Sequence, residues 1–397
     1  MGYLCPSCSS KHPYLNNGFC PFKNVIKKFS PKTFNLEFLG NTPPDIFVGE
    51  YNYPNVFTGI LSPIEYKKET SHLSNPEDWF KQKLEIHDIL ELRSSMIYSR
   101  FKSNIKTQTK LLETMQEVSM SKKSVDVEFH LEKKPNFSIN LDSKAIPMSN
   151  PAPLKKAVIT ENVNIEKPVE KLVYSNDIKS SESILDLYKK GFSVSYLMKL
   201  LSAGLLGIKK QRKLVPTKWS ITAVDTLISK NLIDKIKQYN WLNEVLVFHD
   251  TYLENNYEII LFPNEWSFEV IEVKLPGLDE NYFWQDYEFY EGRKKYAFDV
   301  TGAYYANRLA ACEYLNEIKK QAGILIIREI GDYWAPLGVG ILREVSRNAF
   351  KNHPLKFNNL KEAFDNIQSR LKFDVNKLID KSILLKIKKS QRKLIDY

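Results

Sequence analysis

The spacing of apolar and polar residues predicts helices and strands in an irregular order. At Asn75-Pro76-Glu77-Asp78, Asn suits the cap, Pro suits the first helical position, and two acids meet the positive end of the helix dipole. Apolar residues then recur at Trp79, Leu84, Ile89, Leu92, Met96 and Ile97, which predicts an amphipathic helix running to about Gln116 with breaks. Residues 125–129 and 137–141 alternate like short strands, and the Pro-rich stretch 147–153 reads as a loop. Residues 181–190 and 194–203 read as helices separated at Gly191, with Gly204 and Gly207 as stop signals. A basic loop follows, then a helix over about 223–239.

Beyond residue 240 the pattern changes. Strands are predicted at 245–248, 258–262, 268–274 and 284–289, spaced as hairpins. A helix is expected at 303–321, with strands at 323–330 and 337–345 around a turn containing Asp332, Trp334 and Pro336. Two helices, about 359–371 and 375–389, lead to the end. Residues 28–66, rich in Pro, Asn and aromatics, read as irregular structure with short strands. No internal repeat is visible, and the order is α+β rather than strict βαβ alternation. The expected architecture is a small N-terminal knuckle, a large mixed N-terminal domain and a smaller α+β domain ending in a basic helical tail.

Length and composition narrow the class. The 397 residues suffice for two or three domains, and 43% hydrophobic with 26% charged residues is ordinary for a globular chain. Disordered, collagen-like and disulfide-scaffold classes are excluded. Net charge is 57 − 47 = +10. Residues 351–397 hold 12 Lys/Arg against 5 Asp/Glu, an excess that suits an anionic partner or a solvated surface. No targeting or membrane segment is read, so a cytoplasmic protein is expected.

The N-terminal cluster is Cys5-x2-Cys8-x3-His12-x7-Cys20. A Cys-Pro-x-Cys turn presents two thiolates to one side, as tetrahedral Zn2+ needs, and Cys20 adds a third. His12 is the candidate fourth ligand and Cys312 its competitor. Cys312 reads better as a buried small residue in a helix. An iron–sulfur site, a redox pair or a metal-free knuckle are the alternatives. Four protein ligands would make the metal structural rather than catalytic.

Three other clusters carry chemistry. Lys209, Lys210, Arg212, Lys213 and Lys218, flanked by Trp219, can hold a phosphate backbone, or can simply close a helix C-terminus. Thr222 and Asp225 have capping-box-like spacing, which reads as helix initiation. Glu329, Asp332, Arg343 and Glu344 surround the predicted strand–turn–strand. Paired carboxylates there can bind metal or do acid–base work, or form ion pairs beside a turn. At the terminus, Gln391-x-x-Leu394-Ile395-x-Tyr397 can set Leu394 and Tyr397 side by side on one 3₁₀ turn as a plug for a hydrophobic pocket. There is no Walker loop, no GxGxxG and no Ser/His/Asp arrangement.

Several stretches resemble one family. They are Pro43-Pro44-Asp45-Ile46-Phe47-Val48-Gly49 with Tyr53-Pro54-Asn55-Val56; Leu200-Leu201-Ser202-Ala203-Gly204; Arg212-Lys213-Leu214-Val215-Pro216-Thr217-Lys218-Trp219-Ser220-Ile221-Thr222-Ala223-Val224-Asp225; and Asp332-Tyr333-Trp334-Ala335-Pro336-Leu337-Gly338-Val339. With these the chain resembles the archaeal Nre DNA-repair proteins over nearly its whole length. The resemblance implies a zinc-binding cluster (1–24), a large Nre N-terminal domain (25–277), a smaller Nre C-terminal domain (278–390) and a terminal peptide (391–397) that binds the sliding clamp PCNA. The family cluster usually has four cysteines where this chain has three and His12. The clamp peptide usually ends in one or two aromatics, and here it ends in Tyr397 alone.

The function expected is a DNA-damage-repair factor associated with the nucleoid. Zn2+ would be held by Cys5, Cys8, His12 and Cys20, and the clamp by Gln391, Leu394, Ile395 and Tyr397. DNA would meet Lys209, Lys210, Arg212, Lys213, Lys218 and Trp219. The alternative is an enzyme on nucleic acid or nucleotides, with a cleft formed by Lys213, Thr217, Trp219, Asp225, Arg308, Glu329, Asp332, Trp334 and Arg343. No family chemistry supplies a reaction.

Overall fold

The computed structural model describes residues 34–275, 282–331 and 335–390, with Lys28 and the backbone of Tyr3, Leu4, Lys11 and His12. The chain forms two compact units, Met1–Leu227 with Trp334–Gly340, and Ile228–Tyr333 with Ile341–Tyr397. Cys5, Cys8, Cys20, Asp332, Trp334, Gln391, Leu394, Ile395, Tyr397 and the His12 side chain lie outside the described residues. Tyr3–Leu4 pairs antiparallel with Lys11–His12, a short hairpin that brackets residues 5–10.

The first unit is built on a six-stranded sheet. Its strands are β1 (Glu37–Thr42), β2 (Ile46–Val48), β3 (Asn55–Pro63), β4 (Met96–Asn104), β5 (Val125–Leu131) and β6 (Pro151–Ile159). Their order is β1-β5-β6-β4-β3-β2. Every neighbouring pair is antiparallel except β6 with β4. In β5 buried and half-exposed residues alternate strictly, as the hydrophobic pattern requires of a sheet with one covered face.

Several sequence expectations are corrected here. The helix expected over residues 75–116 is two short helices, α1 (Pro76–Lys81) and α2 (Ile86–Ser94), followed by strand β4 and then α3 (Lys110–Met120). The Asn75 cap is as expected: its side chain accepts from the Glu77 amide. From Ile97 onward, however, the sequence Ile-Tyr-Ser-Arg-Phe is rich in residues that fit a pleated surface, and sheet pairing overrides the accidental helical spacing. The Pro-rich loop at 147–153 enters strand β6. Pro151 and Pro153 lack donors, but their carbonyls accept from the Asn136 and Glu132 amides.

Helices α4 (Lys167–Tyr174), α5 (Ser180–Lys189) and α6 (Val194–Ser202) follow, the last two where expected. Helix α7 (Thr217–Ile236) begins at Thr217 rather than near 223. Pro216 lends its carbonyl to the Trp219 and Ser220 amides and starts the helix. Thr222 and Asp225 therefore sit inside α7, and Thr222 bonds back to the Trp219 carbonyl instead of initiating a helix.

The second unit has its own six-stranded sheet, β7 (Val245–Tyr252), β8 (Asn255–Phe262), β9 (Ser267–Lys274), β10 (Phe283–Glu288), β11 (Gly323–Ile330) and β12 (Leu355–Phe357). The order is β10-β9-β11-β8-β7-β12, with only β9 and β11 parallel. Helices α8 (Gly302–Ile318), α9 (Val339–Ala349), α10 (Leu360–Gln368), α11 (Val375–Lys381) and α12 (Ile383–Ser390) complete it. Phe364, Ile367, Leu378, Leu384 and Leu385 from α10–α12 cover Val247, Ile260, Ile271 and Leu325 on one sheet face. Tyr304 and Tyr314 of α8 pack edge-on to Phe268 and Phe248. With both faces covered, β11 is buried along its whole length.

The strand expected at 337–345 is helix α9, because Ile341, Leu342, Val345 and Ala349 recur at helical spacing, with all four buried. The helix expected over 375–389 breaks at Ser382. The Ser382 hydroxyl and the Ile383 and Leu384 amides all donate to the carboxylate of Glu269, which thereby caps α12. Among the described residues, no helix is long and apolar enough to cross a membrane.

Candidate functional site

The distinctive sequence stretches meet in the first unit. Val48 donates its amide to Thr217 Oγ1 at 2.9 Å, and Thr217 lies 3.1 Å from Ser202 Oγ. Ser202 gives its only hydroxyl hydrogen to the Val215 carbonyl, so the Thr217 hydroxyl must donate to Ser202. A hydrogen-bonded chain thus runs from the 43–49 stretch through helix α7 to the end of helix α6. Two glycines allow close backbone approach. Gly204 (φ +71) passes 2.6 Å from the Lys213 carbonyl oxygen, measured from where a Cβ would stand, and Gly338 (φ +82) passes 2.7 Å from Ala145 in the same sense. Only glycine fits either place. The 335–339 stretch is further tied down by the Val339 amide, which donates to the Lys144 carbonyl.

Arg93 anchors the other side of the same strands. Its fully buried guanidinium reaches Asp45 (3.1 Å), Ser74 Oγ (2.6 Å) and the Leu73 and Pro147 carbonyls. Every contact is an acceptor, as a buried cation requires.

These segments enclose a cavity of about 440 Å³. Its apolar wall includes Phe47, Phe57, Tyr98 and Met148, and its polar lining includes Glu50, Arg100, Asn140, Asp142, Ser149 and Lys218. Lys218 bridges Glu50 (2.8 Å) and Asp142 (2.7 Å). Burial works against its charge, but the two carboxylates outweigh that and hold its pKa above the ordinary lysine value. Burial likewise opposes the Asp142 charge. Lys218 and the Lys144 and Ala145 amides more than compensate, so its pKa is lowered. Arg100 lies 4.5 Å over the Phe57 ring. Burial pushes the Tyr98 phenol far up, so it stays neutral while it donates to the Phe47 carbonyl. Beside the cavity, Tyr53 and Trp219 form an exposed aromatic pair with centroids 5.2 Å apart.

The six residues expected to contact DNA separate by role. Arg212 bonds the carbonyls of Leu172, Val173, Ser175 and Gly207 at 2.5–3.3 Å, closing the C-terminus of α4. Lys218 is engaged by Glu50 and Asp142. Lys209, Lys210 and Lys213 are exposed, and the first two line a depression of about 490 Å³ with Lys106. Trp219 is exposed.

The residues expected to form a cleft fall in both units. Thr217 holds Val48 and Ser202, and Asp225 is fully buried in α7. In the second unit Arg308 pairs with Glu288, whereas Glu329 accepts from the Lys372 amide, so these two have separate partners. Arg343 is buried on α9, not on a strand, and Glu344 on the same helix pairs with Arg347. Cys312 is buried and free, consistent with a small core residue.

Sequence reasoning missed Glu50, Phe57, Arg100, Asp142 and Ser149. Arg100 lay in a strand mistaken for helix, and Ser149 in a stretch taken for loop. The available signal was position: Glu50 and Phe57 directly flank the quoted stretches.

Comparison with known proteins gives the family. Residues 17–278 match the family described as Archaeal Nre, N-terminal, and residues 288–397 match Archaeal Nre, C-terminal. The chain belongs to the archaeal Nre family. It is 36% identical over 356 residues to "DNA repair protein NreB" of Archaeoglobus fulgidus, covering 88% of this chain and 89% of that protein. It is also 36% identical over 326 residues to "DNA repair protein NreA" of Haloferax volcanii, covering 79% and 78%. "DNA repair protein NreA" of Archaeoglobus fulgidus is 34% identical over 369 residues, covering 91% of each. No solved structure matches this Nre chain.

Proposed function

We propose that this chain is a DNA-repair factor brought to DNA by the sliding clamp PCNA. The observation that carries the reading is similarity over 79–91% of the chain to three proteins named for DNA repair. Gln391, Leu394, Ile395 and Tyr397 form the clamp-binding peptide, an apolar plug that orders on docking. Cys5, Cys8, Cys20 and His12 hold Zn2+. Their donor set suits tetrahedral zinc, and the Tyr3–Leu4 and Lys11–His12 pairing brackets the first two cysteines as a knuckle would. Bound zinc would fix this end of the chain and supply no open position for chemistry.

Lys209, Lys210 and Lys213 contact the phosphate backbone, and Trp219 offers a face for stacking. Arg212 and Lys218 support this surface from beneath through their internal partners.

The test is binding of the full chain to an archaeal PCNA and to duplex DNA. Tyr397→Ala is expected to weaken clamp binding by roughly tenfold or more, since it removes the sole terminal aromatic. Lys209→Ala with Lys210→Ala should weaken DNA binding and flatten its salt dependence. Clamp binding untouched by Tyr397→Ala would overturn the recruitment reading. Zinc content near one equivalent, lost in Cys8→Ser, is expected for the knuckle.

A further inference from the structure

The cavity of the first unit carries groups that its own folding leaves unused. Ser149 is 1% exposed, lines the cavity, and its hydroxyl has no hydrogen-bond partner. A buried hydroxyl without a partner is costly, and of those among the described residues of the first unit, Thr42, Ser62, Ser94, Ser99 and Ser149, it is Ser149 that lines this cavity, where an occupant can answer it. Arg100 lines the same space. Among the described residues it meets the Phe57 ring and no carboxylate. Lys102 lies 5.5 Å over that ring and is exposed. Tyr51, also a lining residue, is 78% exposed, an unusual place for a large ring that no core requires.

The chemistry of an occupant follows from these groups. Phe47, Phe57, Tyr98 and Met148 call for a flat apolar body. Ser149 and Asn140 call for hydrogen-bonding edges, and Arg100 calls for an anion. A lipid tail would leave Arg100 and Ser149 unanswered. A lone phosphate would leave the aromatic wall unused, and about 440 Å³ lies within the range of roughly 300–1,000 Å³ typical of ligand pockets.

We infer that this cavity receives a single nucleotide, its base against the aromatic wall and beside Ser149, its phosphate on Arg100. Glu50 and Asp142, held by Lys218, form the polar end that faces the base's exocyclic groups. Lys102 and Arg100 offset the excess negative charge of that carboxylate pair. The ligand chemistry is shared by two sources, a free mononucleotide and an unpaired nucleotide turned out of a strand. The second source deepens the repair reading and rests on it.

The experiment titrates the full chain with dTMP, with 2-deoxyribose 5-phosphate, with a flush duplex, and with the same duplex carrying one unpaired thymidine. Arg100→Ala and the milder Ser149→Ala are run beside the wild type. Stacking on aromatic side chains should make dTMP bind at least roughly tenfold tighter than the sugar phosphate. Arg100→Ala should lower dTMP affinity by roughly tenfold, as loss of a charge-assisted contact does. Preference for the bulged duplex assigns the occupant to a strand, and equal duplex binding with firm dTMP binding assigns it to the free nucleotide. Absence of dTMP binding together with equal duplex affinities overturns the inference. So does dTMP affinity unchanged in both variants. Flush-duplex and clamp binding persisting through such a result would leave the repair reading standing. Loss of both in the wild type, with dTMP still bound, would sink the repair reading and spare the cavity.

Discussion

The two units solve the same problem in different ways. Each rests on a six-stranded sheet with a single parallel pair. In the second unit, buried and half-buried charges face partners within the fold. Arg328 takes Glu272 and Asn255, Arg370 takes Glu258, Arg347 takes Glu313 and Glu344, and Arg308 takes Glu288. Even the remaining guanidinium edge of Arg308 lies against the rings of Tyr304 and Tyr305. In the first unit, among the described residues, Arg93, Arg212 and Lys218 do the same. Around its cavity, among the described residues, it leaves Arg100 without a carboxylate and Ser149 without a partner. Compensated charge marks architecture here, while a cation without a carboxylate and a hydroxyl without a partner line one and the same cavity.

The comparison can be broken at its strongest point first. Glu288→Ala strands Arg308 in the core of the second unit, and the full chain should lose about 3–5 kcal/mol in urea unfolding. A loss under 1 kcal/mol would deny that the pair is architectural. Next, Thr217→Val orphans the Val48 amide and cuts the chain to Ser202, for an expected loss of about 1–3 kcal/mol. Thr217→Ser should restore most of it.

The units should also part company with pH. Asp142 has a lowered pKa in the fold, so its contribution is present above the ordinary value of about 3.9 and lost as pH falls through the lower folded value. The stability gap between wild type and Asp142→Asn should therefore close only in acid. His249 has a raised pKa, chiefly through its hydrogen bond to Glu258. Its contribution is complete below about pH 6.5 and lost as pH rises through the folded value. The gap between wild type and His249→Gln should shrink as pH rises above about 6.5. The smallest stability effect is expected at Arg100→Ala, about 0.5–1 kcal/mol for a half-exposed cation over a ring.

Much of the second unit was legible because its strands are long apolar runs between turn residues, and periodicity there is unambiguous. Residues 245–274 and 323–330 are the clearest cases. Helices α5 and α6 were legible through their glycine stops. Strand β4 was not, because its first residues continue the helical spacing of α2 and only sheet pairing decides between the two. Helix α9 is hidden for the opposite reason: the apolar run at 337–345 has the composition of a strand, and its helical stripe of Ile341, Leu342, Val345 and Ala349 shows only in the packing. The quoted stretches pointed to Thr217 and Lys218 but not to the cavity. Arg100, Asp142 and Ser149 come from three separate segments, and no local pattern connects them. Arg212 closes a helix C-terminus, the second of the two roles its sequence allowed, but the helix is α4, whose Leu172, Val173 and Ser175 carbonyls lie 37–40 residues earlier, beyond any local spacing.

The most direct measurement is the methyl spectrum of the methionines in the full chain, of which there are six. Met148 lines the cavity, while Met198 sits on α6. On addition of dTMP the Met148 resonance should move while Met198 stays in place, and 2-deoxyribose 5-phosphate should leave both unmoved. A Met148 resonance that holds still while dTMP saturates the protein would contradict the assignment of this cavity to a nucleotide.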